Sequence, residues 1–201
     1  MVGRLPVLPE PRQPLGPDDR VRHWYENELG WATVPGRPVR LVVGRRFDVL
    51  DVPADAGRAA LRHLGPASPV AVQGDRIRLL VAAGTKEELP GLLEWLEWGA
   101  VALDLVALGP GALMDAPVPP RAGSSGARPP ALAPGRCGSQ GAAVWLRPPG
   151  TECEVETSLP TLSAVGAVTG APDLVRLVDT VATQCHRIRL RRACAQPLAF
   201  S

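Results

Sequence analysis

The run Phe47-Asp48-Val49-Leu50-Asp51-Val52-Pro53 constrains this chain more than any other. Its aromatic and β-branched residues suit a pleated, buried strand, and Pro53, which has no backbone N–H, stops it. Side chains alternate along a strand, so Asp48 and Asp51, three apart, point to opposite faces. A carboxylate in an apolar strand is expensive to bury unless something pairs with it. A divalent metal, bound by hard carboxylate oxygens, is one such partner.

Around this strand the periodicity predicts alternating short elements. Asp18 and Asp19 offer an N-cap for a helix running to about Leu29, with Val21, Trp24, Tyr25 and Leu29 on one face and Gly30 as its stop. Trp31 to Val34 reads as a short strand or extended entry stopped by Pro35-Gly36, and Val39–Val43 alternates weakly. Residues 54–64 suit a helix with a small apolar face. Val70–Val72 and Arg76–Val81 form a hairpin around Gln73-Gly74-Asp75. Thr85 can cap a helix that runs through Leu89, Leu92, Leu93 and Leu96 to Trp98, with Pro90 shifting its start towards Leu89 and Gly99 ending it. Val101–Leu105, containing Asp104, reads as a strand, and Val144–Leu146 as another. The clearest helix is the last, about 172–194: Leu174, Leu177, Val178, Val181, Cys185 and Ile188 make one stripe, with Pro172 as first helical residue. Helices and hairpins without strict βαβ alternation give an α+β fold.

The 201 residues and 45% hydrophobic content fit one domain with a real core. Residues 1–17, with several prolines, read as an extended arm; 18–149 as the domain; 117–139, rich in Pro, Gly, Ser and Arg, as a flexible excursion; and 150–201 as a C-terminal segment packing on the domain. Net charge is +2, which gives no electrostatic case for nucleic acid by itself. Lys86 is the only lysine, and the abundance of Arg, Ala, Gly and Pro reads as the coding bias of a GC-rich genome. The four cysteines, Cys137, Cys153, Cys185 and Cys194, show no zinc-site spacing. With no apolar leader and no spanning run, the chain reads as cytoplasmic, with reduced thiols and no membrane partner. No Walker A loop, nucleophile elbow or HExxH motif is present.

In order along the chain stand Gly30-Trp31 and Val34-Pro35, Val49-Leu50-Asp51-Val52, the hairpin Gly74-Asp75-Arg76-Ile77-Arg78-Leu79-Leu80, Ala102-Leu103-Asp104-Leu105, Gly109 and Gly111, then Ala116-Pro117. This series resembles the N-terminal domain of bifunctional DNA primase/polymerases, the prim-pol branch of the archaeo-eukaryotic primase superfamily, over residues 18–149. The resemblance implies a mixed or antiparallel sheet packed with helices. It also implies two Mg²⁺ or Mn²⁺ ions held by acidic residues, which serve nucleotidyl transfer. Asp51 and Asp104 match the family's catalytic metal-binding acids; Arg76 and Arg78 flank its phosphate-contacting hairpin position.

Three departures matter. Pro53 stands where a second carboxylate belongs, Ile77 where a phosphate-contacting His belongs, and Val106 where many members carry Arg. Asp55 could reach in from the turn. Asp51 reads equally as a capping carboxylate before Ala54, and Asp104 as a strand-end Asp paired with an Arg. The residues therefore favour a degenerate domain that binds nucleotide or nucleic acid in a regulatory role, with an active primase/polymerase and a structural interaction module as alternatives. Trp95 and Trp98, three apart on one helix, read as core residues before base-stacking ones. Cys185 reads as a buried inert thiol. Arg187, Arg189, Arg191 and Arg192 read as a solvated helix end.

Overall fold

The structure, a computed structural model, describes residues 16–120, 141–150, 155–162 and 172–194. Helix α1 (Pro17–His23) runs into a wider π turn at Trp24–Glu28; strands β1 (Thr33–Val34), β2 (Arg40–Val42) and β3 (Phe47–Pro53) follow. Next come helix α2 (Ala54–Ala60), β4 (Val70–Gln73), β5 (Arg76–Ala82), helix α3 (Thr85–Trp95), β6 (Val106–Leu108), β7 (Leu113–Asp115), β8 (Val144–Arg147) and helix α4 (Leu174–Cys194). The class is α+β: one antiparallel sheet of order β6-β3-β5-β4-β8 and a small one of order β1-β2-β7, with helices packed against them.

Strand β3 is central because both its faces can be buried. Leu50 and Val52 join Ile77, Leu79, Val70 and Val72 on one face, where α2 and α4 cover them. The α4 stripe of Leu174, Leu177, Val178, Val181 and Cys185 lies in this same cluster. Gly57 of α2 lets the helix lie directly on β5, since a Cβ there would fall 2.6 Å from Ile77 Cβ. Phe47, Val49, Ala71 and Leu80 form the opposite face, covered by Trp24, Tyr25, Trp31 and the small sheet. Trp31 packs at 4.5 Å from Phe47, centroid to centroid. The Tyr25 hydroxyl donates to Pro117 O at 2.7 Å and accepts from Trp145 Nε1 at 3.0 Å, which satisfies a fully buried phenol.

Several local expectations are corrected. Helix α1 starts at Pro17 after Gly16, so Asp18 and Asp19 sit in its first turn beside the positive helix end and do not cap it. Helix α3 starts at Thr85 and keeps Pro90 inside. Asp48 Oδ2 accepts the N–H groups of Gly84 (3.0 Å) and Lys86 (2.9 Å), and this cap with buried Thr85, Leu89 and Leu92 outweighs one lost hydrogen bond. The same helix ends in a Schellman motif at Glu97 (φ 66°), two residues before Gly99. Trp98 N–H bonds Leu93 O (2.8 Å) and Glu97 N–H bonds Glu94 O (3.0 Å). The chain then turns through Val101, whose N–H bonds Trp98 O, so the strand begins only at Val106 and Asp104 lies before it. Asp173 caps α4 by accepting from Val175 (2.9 Å) and Arg176 (3.2 Å), which leaves Pro172 outside the helix. Trp95 is 72% exposed and is not a core residue.

The arm expected over 1–17 and the excursion over 117–139 fall mostly outside the described residues, as do Cys137 and Cys153. No helix among the described residues is long and apolar enough to cross a membrane.

Candidate functional site

Register brings the predicted residues together. Asp51 lies directly opposite Arg78 on β5 and Val106 on β6, while Pro53 lies opposite Arg76. Asp104, two residues before Val106, is thereby carried towards the Pro53 end of β3, within reach of Arg76. Alternation sets Arg76 and Arg78 on the face of Asp51 and turns Ile77 into the helical core, where it is fully buried. Ile77 therefore does not occupy the phosphate-contacting position that the resemblance implies for it.

Arg76 stands between the two carboxylates. Its Nε donates to Asp51 Oδ1 at 2.6 Å, its Nη2 to Asp51 O at 2.9 Å, and its Nη1 to Asp104 Oδ1. Arg78 Nε donates to the other oxygen of Asp51 at 3.1 Å. Arg192, from α4, approaches Asp104 Oδ2 at 3.8 Å; the sequence pattern placed this residue only in a solvated helix end. Burial pulls the Arg76 guanidinium down, but its bonds to Asp104 and Asp51 outweigh burial and hold it above its ordinary value. Asp51, with a side chain 15% exposed, therefore has both oxygens on guanidinium groups.

The other acids are engaged elsewhere. Asp55 pairs with Arg58 at 3.0 Å and stays exposed. Asp48 is on the opposite face, capping α3. Helix α2 has no side-chain cap, so Asp51 does not serve that role. No group of three or more His, Cys, Asp or Glu side chains able to hold a metal converges among the described residues.

A divalent ion fits this site poorly. A two-metal centre needs several free carboxylate oxygens around each ion. Here the acids present their oxygens to a cation that is part of the chain, and Pro53 supplies none. The cluster holds three guanidinium groups against two carboxylates. Arg78 Nη1 is buried with no hydrogen-bond partner among the described residues, and so is Gln73 Oε1 on the adjacent strand. An unpartnered guanidinium donor suits an incoming anion better than a cation.

One cavity borders this cluster and another lies apart from it. One of about 310 Å³ opens on the α4 side of Asp104, between Leu103, Cys185, Ile188, Arg189 and Arg192. Cys185, 2% exposed, has its thiol pushed up to about 11 by burial, with a smaller push from Asp104, so it is a poor nucleophile. Another cavity, about 300 Å³, lies beside Phe47 at the far end of β3, between Trp31, Arg46 and Leu159, and shares no residue with the cluster.

Comparison of the chain with protein-family models, with curated proteins and with solved structures finds no match.

Proposed function

We propose that this chain is a divergent prim-pol-like domain, acting in the cytoplasm, that binds nucleotide or nucleic acid through its arginines without carrying out polymerisation. The observation that supports this most is Arg76, whose guanidinium bonds both acids the resemblance assigns to metal. Neutralised in this way, Asp51 and Asp104 have little to offer Mg²⁺ or Mn²⁺, and an active nucleotidyltransferase becomes the weaker reading. The unpartnered Arg78 Nη1 and the positive balance of the cluster support contact with phosphate.

The test is fluorescence anisotropy of a labelled single-stranded oligonucleotide, with a deoxynucleoside triphosphate in a parallel thermal shift, each in EDTA and in Mg²⁺. Binding that weakens with salt, is indifferent to EDTA and drops several-fold in Arg78→Gln supports the proposal. Absence of binding to both probes at low salt, or binding that requires the metal, sinks it.

A further inference from the structure

The apolar stripe of α4 is buried in the core as far as Cys185, which donates from Sγ to Asp104 O at 3.5 Å. One turn on, Ile188 is only half-buried. Opposite lies the segment that the sequence suggested as a strand, Val101–Leu105, which instead turns and lets β6 begin only at Val106. The helix does not close onto this turn, and the cavity of about 310 Å³ is the gap left between them.

The cavity has an apolar floor and a cationic mouth. Residues 185, 188, 189 and 192 are spaced three and four apart, so they share one face of α4. Along that face burial falls from Cys185 through Ile188 to the exposed Arg189 and Arg192. Half-buried Leu103 completes the apolar part. Asp104 is the one acid in the wall, and Arg76 already bonds its Oδ1. Arg192 stands 3.8 Å from Oδ2, too far for a hydrogen bond, and is 68% exposed. Arg189 spends Nη1 on Ala102 O at 3.0 Å. A guanidinium carries five N–H donors, so among the described residues both arginines keep most of theirs for another acceptor.

We propose that this cavity binds a small molecule with an apolar body and a single carboxylate or phosphate head, the body against Leu103, Ile188 and Cys185 and the head on Arg189 and Arg192. The volume lies at the lower end of the range for ligand pockets, roughly 300–1,000 Å³, which limits the body to a short chain or a small ring system. An arginine fork takes either head through two parallel hydrogen bonds. A bare anion would leave the apolar floor unfilled, and a neutral apolar molecule would leave the arginines unanswered. The proposal does not rest on nucleotide binding, and its test uses no nucleotide.

Isothermal titration of the full chain with octanoate and with octyl phosphate tests this, with acetate as head alone and octan-1-ol as body alone. One site per chain is expected for at least one of the two amphipathic anions, and the tighter of them names the head. Acetate and octan-1-ol should bind at least tenfold more weakly. The double substitution Arg189→Gln/Arg192→Gln should weaken binding at least tenfold, while Arg189→Lys/Arg192→Lys keeps most of it. Ile188→Trp, which fills the cavity from its wall, should abolish binding. Arg191→Gln removes a charge from the same helix end without touching the cavity and should leave binding within about twofold of native, by the small effect of an exposed charge. No binding of either amphipathic anion overturns the proposal. So does octan-1-ol binding as tightly as they do, or a loss in Arg191→Gln equal to that of the double glutamine variant.

Discussion

Replacing Arg76 with Ala tests the cluster from its centre. The side chain is 25% exposed and makes three hydrogen bonds, two to Asp51 and one to Asp104. Hydrogen bonds to charged groups contribute about 1.5–3 kcal/mol each in net terms. The Asp104 arm is discounted to roughly 0–1 kcal/mol because that carboxylate is 45% exposed. Asp51 keeps Arg78, so its loss is partial. The expected destabilisation is about 2–4 kcal/mol by these magnitudes. For a chain of this size that lowers Tm by roughly 5–12 °C, read by differential scanning calorimetry. The substitution also frees Asp51 Oδ1 and Asp104 Oδ1. Mn²⁺ should therefore raise the Tm of Arg76→Ala by more than it raises that of the native chain. A loss below about 0.5 kcal/mol, the range of ordinary surface substitutions, would refute the claim that Arg76 organises the site. Equal stabilisation of both proteins by Mn²⁺ would refute the claim that it stands in for a metal.

Three further outcomes follow from the packing. Burial raises the Asp48 carboxyl above its ordinary 3.8, against the pull of the Lys86 and Gly84 N–H groups, so the folded state holds its proton more tightly than the unfolded one. Its contribution to stability is thus greatest in acid and falls as pH rises from the ordinary value through the raised one; Asp48→Asn should gain on the native chain in thermal melts as pH rises through that window, and a gap independent of pH contradicts this. Gly57→Ala places a Cβ 2.6 Å from Ile77 Cβ and should lose about 1–3 kcal/mol in urea unfolding, partly recovered by Ile77→Val; a neutral result would mean α2 is not held against β5 there. Glu97→Gly relieves a positive φ and should gain up to about 1 kcal/mol in melts of dilute protein, whereas a loss would show that Glu97 makes a stabilising contact.

The fold was legible wherever pattern and local chemistry agreed. Alternation marked β3 and the hairpin of β4 and β5, and the apolar stripe marked α4, because these elements bury the faces their own spacing defines. Starts and stops were misplaced where a distant residue decides them. Asp48 sets the beginning of α3 from another strand, and the Schellman bonds at Glu97 end it where no glycine advertises a stop. The exposure of Trp95 was illegible because helical spacing alone does not say which face finds a partner. At the site, the alternation of Arg76 and Arg78 about Ile77 fixed their face, and both acids were found from the sequence. That Arg76 bonds them together follows from the register of three strands and from a turn that holds Asp104 short of β6, and pairwise motifs carry neither.

The decisive property of this site is that its acids are held by arginine and not offered to metal. Titration of the native chain into Mn²⁺, followed by the electron paramagnetic resonance of the free aqueous ion, tests that directly. The free-ion signal should keep its amplitude in the presence of excess protein. Loss of signal matching one or two ions per chain, restored by Asp51→Asn, would contradict it.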